Sequence, residues 1–260
     1  MKLAAKGLSR GEIAAFCYAD IFGVILTRAQ AKRWSIKTKN PLALPVLHPN
    51  LSKKKSYAQI KTTIAQKIIK NFISLPFVEA IFLTGDIATG ICTKDSDIDL
   101  MIVTKPHTLW LTRLLLVWYL KNKKIYKNLI CPNIFLDAEH LQIKEHNLYT
   151  AHEVLQARCL FDRNNIESKW LKLNSWTKNY LPNAYGFKIS NLKIKNSLEI
   201  ENWKLEILLP FEFLVFIFQY LYMKSKMTNE QVGLGFAFFH PRKLSSHVLQ
   251  EYQKRLELAK

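Results

Sequence analysis

Two aspartates separated by one residue are the clearest candidates for chemistry in this sequence. Asp97 and Asp99 lie in the segment FLTGDIATGICTKDSDIDLMIV (82–103), whose apolar run IDLMIV predicts a strand over 98–103. Successive side chains of a strand point to opposite faces, so the two carboxylates should share one face. Neighbouring carboxylates repel each other, and a hard divalent cation relieves that repulsion through the oxygen ligands it prefers. The alternative is two exposed aspartates flanking the start of a buried strand.

A glycine turn precedes this pair. The residues VEAIFLT (78–84) predict a strand that ends at Gly85, and a short helix or loop follows over 86–95. The amides of residues 86–89 would then point to a place where a phosphate group can bind. Divalent cations held by paired carboxylates can activate a hydroxyl and hold a triphosphate for in-line displacement. The spacing therefore indicates phosphoryl chemistry.

The order of these features resembles the nucleotidyltransferase superfamily of polymerase beta, over roughly residues 57–137. The resemblance implies an α+β fold with a small mixed sheet and helical N- and C-terminal regions. It also implies transfer of a nucleotidyl group from an NTP to a hydroxyl of an unknown acceptor, with Mg²⁺ or Mn²⁺. Further stretches resemble an uncharacterised group of bacterial nucleotidyltransferase-domain proteins: YADIFGVILT, LICPNIFLD, NLYTAHEVLQARCLFD and AFFHPRKLSSHVLQEYQKRL.

The resemblance assigns site residues by position. We expect the catalytic residues to be Asp97, Asp99 and Asp137, the metal ligands to be Asp97, Asp99 and Asn133, and the nucleotide-binding residues to be Thr84, Gly85, Asp86 and Ser96.

Two positions depart from the superfamily pattern. Asp86 stands where a serine is usual, and a carboxylate there would repel a triphosphate. We therefore expect that replacing Asp86 by serine would tighten NTP binding. The alternative is that Asp86 helps to hold a cation. Asn133 stands where an aspartate is expected, and Asp137 shares its strand parity nearer the strand end. An amide can ligate a metal but cannot act as a base. A non-catalytic protein that binds nucleotides or nucleic acid on the same scaffold is therefore the alternative function.

Periodicity and proline placement predict the surrounding elements. Apolar positions from Tyr57 to Leu75 step by three or four and indicate an amphipathic helix, and residues 108–120 indicate a buried helix packed on the sheet. The strand 129–137 contains Pro132, which favours an edge position. We expect no strand after residue 148. The predicted organisation is a helical module resembling a truncated winged helix (1–35), a linker (36–55), a nucleotidyltransferase-like domain (56–147) and a helical region (148–260).

Composition narrows the class of partner. The chain of 260 residues has 38 basic and 20 acidic residues, a formal net charge of +18, and lysine supplies most of the excess. Lysine attracts phosphates without reading bases, so nonspecific contact with nucleic acid is one interpretation, and a coding bias of the source is the other.

Four cysteines without a CxxC pair, and the lack of an apolar leader, favour a reduced, cytoplasmic protein. The most apolar stretch, 207–223, is too short to span a bilayer and predicts a buried helix; docking to a membrane surface or a partner is the rival interpretation.

Other candidates are weaker. Glu153 or His152 on a predicted helix could serve as a base for the acceptor hydroxyl, or His152 could pair with Gln156 in a polar seam. His240 and Arg242 could contact an anion or merely begin a helix with a basic surface. The tryptophans are expected in the core, namely Trp110, Trp118, Trp170, Trp176 and Trp203.

Overall fold

A computed structural model describes residues 7–38, 51–90, 92–185, 209–225, 227–228, 230–239 and 243–258. The strands within these ranges form a six-stranded mixed sheet in the order β4-β1-β2-β3-β6-β5. Their bounds are β1 Val78–Leu83, β2 Ile98–Thr104, β3 Ile130–Asp137, β4 Arg158–Asp162, β5 Gln231–Val232 and β6 Phe236–Phe238. The helices are α1 Arg10–Asp20, α2 Arg28–Arg33, α3 Leu51–Ile69, α4 Gly85–Ala88, α5 Leu109–Asn122, α6 Leu148–Gln156, α7 Ile166–Leu173, a 3₁₀ helix at Ser175–Asn179, α8 Leu209–Lys224 and α9 Lys243–Leu258. The α+β class with a small mixed sheet is confirmed.

Both faces of the central strands are covered by helices. Every residue of β1 is buried, as are all but one of β2, because both are nearly continuous apolar runs. Helices α3, α5 and α8 pack on one face through Ile69, Trp110 and Val215. Helices α6 and α7 pack on the other face through Val154 and Trp170. Strand β1 is antiparallel to β2 and β4, whereas β2 and β3 are parallel.

Three strands lie where a purely helical region was expected. Strand β4 pairs with β1, and β6 pairs with β3, so the region after residue 148 completes the sheet at both ends. The expectation of an edge position for β3 is also wrong, because β6 covers it. Pro132 is tolerated there because β6 pairs only with residues 134–136 and because the register to β2 shifts just after Pro132.

The N-terminal helices pack against the C-terminal region. Ser9 and Thr27 each begin a helix with a reciprocal capping box. Tyr18 of α1 lies in one apolar cluster with Leu155 of α6 and Tyr252 of α9. Residues 39–50 of the predicted linker lie outside the described residues, and α3 begins at Leu51, inside that linker.

Helix α8 is more exposed than its apolar sequence predicts. The buried side chains of its described part follow one stripe, Glu212, Val215, Gln219 and Met223. Large apolar side chains on its remaining surface are exposed, including Phe211, Phe213, Leu214, Phe218, Leu221 and Tyr222.

The tryptophans were predicted to lie in the core. Trp118 of α5 is 64% exposed and is not a core residue, in contrast to Trp110 and Trp170; Trp203 lies outside the described residues. No helix among the described residues is both long and apolar enough to cross a membrane.

Candidate active site

The turn after β1 brings the backbone against Asp99. Gly85 has a φ of 62°, and a Cβ at this position would overlap the Asp99 Oδ2 atom. The amide of Thr84 donates to the carbonyl of Asp99 at 3.0 Å. Glycine is therefore required here both by the left-handed backbone and by the close carboxylate. The helix that follows, α4, has only four residues, so its dipole contributes less to anion binding than that of a longer helix would.

Asp99 is the central carboxylate of the site. It lies near the start of β2, and the amide of Asn133 donates from Nδ2 to Asp99 Oδ1 at 2.8 Å. Burial raises the pKa of Asp99 to about 7, and the charges of Asp97 and Asp86 add to that shift. Asp97, Asp99 and Asn133 are thus brought together at this end of the sheet.

A fourth carboxylate reaches the site from a helix. Glu153 on α6 has its pKa raised to about 7, first by burial and then by the charges of Asp99 and Asp86. We call Asp86, Asp97, Asp99 and Glu153 the carboxylate cluster. No basic side chain in the described ranges offsets the raised pKa of Asp99 or Glu153. The sequence identifies Glu153 as a carboxylate on a predicted helix. Its position beside Asp99 follows from the packing of α6 on the sheet.

A cavity of about 470 Å³ opens beside the cluster. Asp86 and Asp99 line it from the sheet side, and Glu153 lines it from α6. The N-terminal helices close another side with Tyr18 and the α2 end, including Arg33 and Trp34. Arg158 at the start of β4 also faces this cavity. The N-terminal module is therefore a wall of the candidate site.

His152 serves packing in this wall. Its ring stacks on Tyr18 with centroids 4.0 Å apart and lies 5.3 Å from the ring of Trp34. Its Nδ1 and Gln156 Nε2 are 3.3 Å apart, as the polar-seam interpretation predicts. Burial lowers the pKa of His152 to about 3, so the ring is neutral near pH 7. Glu153, rather than His152, is the candidate base on this helix.

Asp137 is not brought to the cluster. In the parallel register it lies beside Thr104, whereas Asp99 lies beside Cys131, so the two aspartates are at opposite ends of the sheet. Asp137 Oδ1 instead accepts hydrogen bonds from the amides of Glu139 and His140 at 2.9 and 3.0 Å. The assignment of Asp137 as catalytic is corrected, because matching strand parity does not ensure matching height along the strand.

Two other predicted nucleotide-binding residues face elsewhere. The hydroxyl of Ser96 lies 3.0 Å from the amide and from the hydroxyl of Thr93, which closes the loop before β2. Ser96 and Thr84 do not line the cavity, and the Thr84 side chain is buried. Gly85 and Asp86 do line it. His240 and Arg242 lie outside the described residues.

Potential metal-ligand atoms lie within 4.8 Å of one another at β4 and the start of α7, on Cys159, Asp162 and Glu167. The Asp162 carboxylate accepts from the amides of Ile166 and Glu167 at the start of α7, at 2.8 and 3.3 Å. This arrangement is that of a helix cap, and it is separate from the cavity.

Comparison with known proteins identifies the domain. Residues 65–181 match the family described as a nucleotidyltransferase domain. The match extends past the predicted boundary at 147 and includes β4. Among solved structures, the chain is similar to the crystal structure of a mutant of the toxin–antitoxin MntA-HpeT, at 12% identity over 45% of this chain and 88% of that chain, with a TM-score of 0.28. No curated protein matches the chain.

Proposed function

We propose that the protein is a divalent-metal-dependent nucleotidyltransferase that moves a nucleotidyl group from an NTP to a hydroxyl of an acceptor. The observation that carries this proposal is the convergence of Asp86, Asp99 and Glu153 on one cavity beside the Gly85 turn. Carboxylates concentrated in a partly buried place favour a cation, because each raises the cost of ionising the others.

The chain offers a donor set that suits Mg²⁺ or Mn²⁺. Asp97 and Asp99 would hold the cation, Asp86 would add a carboxylate from the turn, and Asn133 orients Asp99 through its amide. When bound, the cation supplies positive charge that neutralises the cluster and the incoming phosphates. Amides next to Gly85 would donate to those phosphates.

Glu153 is the proposed base for the acceptor. In the reaction, the acceptor oxygen forms a bond to the α-phosphorus while the bond from that phosphorus to the bridging oxygen breaks, and pyrophosphate leaves. The proton of the acceptor hydroxyl passes to the carboxylate of Glu153, which lies in the cavity with Asp99. Burial and the charges of Asp99 and Asp86 support this role, since they raise the pKa of Glu153 to about 7 and make its carboxylate a better proton acceptor.

Nucleotide binding without transfer is the second candidate. The observation that favours it is Asn133, whose amide donates to Asp99 at the position where an aspartate would be expected. An amide supplies one charge fewer to a cation than a carboxylate does. Under this alternative the protein would bind Mg-NTP in the same cavity and release no pyrophosphate.

Labelled nucleotides separate the two functions. The protein is incubated with each α-labelled NTP, Mg²⁺ or Mn²⁺, and cell extract, and both labelled products and pyrophosphate are measured. Transfer predicts both signals in the parent and neither in Asp99→Asn. Binding of Mg-NTP with no product would support the second candidate, and no binding of any Mg-NTP would exclude both. Asp95→Asn, an exposed change in the same loop, is the control that should behave like the parent.

A further inference from the structure

Two arginines share the cavity with the carboxylate cluster. Arg33 is the last residue of α2, and Arg158 is the first residue of β4. Both line the cavity and both are only partly exposed. Burial lowers the pKa of each guanidinium, and the charge of Arg158 lowers the pKa of Arg33 further. The two cations therefore line one cavity.

The arginines are near the carboxylates but distinct from them. Arg158 pairs with Leu83, and Leu83 pairs with Leu100, the residue after Asp99. Two strand spacings place the backbones of Arg158 and Asp99 roughly 10 Å apart. Neither Asp99 nor Glu153 has its pKa lowered by an arginine. The cavity thus has an acidic part and a basic part.

Arg158 has unused hydrogen-bonding capacity, and Trp34 positions Arg33. The Nε atom of Arg158 is buried and has no hydrogen-bond partner among the residues that the structure describes. Arg33 lies with its Cζ 4.9 Å from the ring of Trp34, which holds the guanidinium at the cavity wall. Guanidinium groups match the oxygens of a phosphate in a bidentate way.

We propose that Arg33 and Arg158 form a subsite for a phosphate group carried by the acceptor. This inference rests on the proposed function, in which the triphosphate of the NTP lies at the Gly85 turn and the metal carboxylates. Arg33 lies outside residues 65–181, the part that matches the nucleotidyltransferase domain, so the N-terminal module adds this group to the domain. The acceptor would be a phosphorylated molecule with a free hydroxyl, and the module would recognise it.

Calorimetry of the full chain without metal tests the subsite, with inorganic phosphate and ribose 5-phosphate as probes. We expect Arg33→Gln and Arg158→Gln each to weaken binding of both probes by at least about fivefold, since each removes a charge-assisted contact. Arg28→Gln is the matched control, because Arg28 is exposed on the same helix and donates to Gly7 O at 2.9 Å outside the cavity. Absence of binding in the parent, or equal loss in all three variants, would overturn the proposal.

A second titration identifies the source of the phosphate. With Mg-NTP at saturation, ribose 5-phosphate should still bind if the subsite belongs to the acceptor. Competition between Mg-NTP and ribose 5-phosphate would show that the arginines bind the triphosphate of the NTP, and it would overturn the inference. Asp99→Asn should lose Mg-NTP binding and keep phosphate binding, so failure of the proposed function and failure of the subsite give different results. Melting curves check each fold, and Arg158→Lys, which keeps the charge, should retain binding between that of the parent and that of Arg158→Gln.

Discussion

At the scale of single residues, the site combines the expected aspartate pair with two unusual positions around it. Asp97 immediately precedes β2 and Asp99 is its second residue, as the sequence predicts. Asn133 reaches Asp99 as an amide donor, and Glu153 enters from a helix instead of the sheet.

Replacing Glu153 tests its role as the base. We expect Glu153→Gln to lower the rate of nucleotidyl transfer by about a hundredfold or more, since general base catalysis contributes on this order. The affinity for Mg-NTP should change little, because Asp97 and Asp99 remain. Single-turnover rates and nucleotide titrations measure the two effects. Glu257→Gln, an exposed change on α9, is the control, and a loss of Mg-NTP binding in Glu153→Gln would show that Glu153 is a metal ligand instead.

The position of Asp86 changes the expectation for its serine variant. Its charge acts on both Asp99 and Glu153, so it contributes to the field that attracts a cation. Asp86→Ser should weaken Mg²⁺ binding roughly tenfold, a change typical of altered ligand surroundings. Titration with Mg²⁺ alone measures it, with Asp95→Ser as the exposed control in the same loop. Tighter NTP binding with unchanged Mg²⁺ affinity would instead support the view that Asp86 only repels the triphosphate.

At the scale of elements, polar side chains of α8 hold the start of α5. Glu212 accepts from the amides of Trp110 and Leu111 at 2.5 and 2.9 Å, and Gln219 Nε2 donates to Trp110 O at 2.8 Å. Arg113 donates to Gln219 from the next turn of α5. The Glu212 carboxylate binds two of the amides that a helix start leaves without intrahelical partners, which explains why an apolar helix retains this buried polar residue.

Removing this cap should destabilise the protein. We expect Glu212→Ala to lower the free energy of unfolding by about 2 kcal/mol, because the buried amide of Trp110 and the partly buried amide of Leu111 lose a carboxylate acceptor. Urea unfolding followed by far-ultraviolet circular dichroism measures the change. Glu257→Ala should leave the midpoint nearly unchanged. Equal midpoints for both variants would show that water replaces the Glu212 carboxylate without cost.

The seam between α1 and α6 should make the fold sensitive to acid. His152 has a folded-state pKa of about 3, whereas an unfolded histidine titrates near 6.5. Below about pH 6.5 His152 binds a proton in the unfolded chain but stays neutral in the folded chain. The free energy of unfolding therefore falls by up to about 1.4 kcal/mol per pH unit until the folded histidine titrates. His152→Phe should remove this part of the pH dependence, and His247→Phe, an exposed change, should not. Unfolding midpoints between pH 7 and pH 4 decide the matter.

At the scale of the whole molecule, charge and exposed apolar area are distributed unevenly. The chain has a formal net charge of +18, whereas the carboxylates of Asp86, Asp99 and Glu153 converge on one cavity. The exposed side chains of α8 form an apolar face, in contrast to the predicted buried helix.

The net charge predicts how any nucleic-acid binding depends on salt. Each phosphate that lysine neutralises releases counterions, so affinity for RNA or DNA should fall steeply with salt and differ little between sequences. Filter binding with two unrelated sequences at several salt concentrations measures both effects. Persistent binding at high salt with a sequence preference would contradict the prediction, and no binding at low salt would favour the coding-bias interpretation.

The local pattern of the sequence was sufficient for the part of the site built within one segment. The Gly85 turn and the Asp97–Asp99 pair lie within a short stretch of chain, where strand alternation and glycine conformation control the geometry. Strands β1 and β2 and helix α3 follow from runs and periods of the same short range. The class of domain could therefore be predicted from the residues of this part of the chain.

The tertiary structure decided everything that depends on contacts between distant segments. The family resemblance pointed to Asn133, which donates to Asp99, and strand parity put Asp137 on the same face. Only the parallel register of β2 and β3 showed that Asp137 lies at the other end of the strands. Glu153 became part of the site because α6 packs on the sheet, and Arg33 because the end of α2 lies against α6, where Trp34 contacts His152. Periodicity reports which face of an element is apolar, but it carries no information on which other element covers that face or at what height, and these two quantities determine the composition of the cavity.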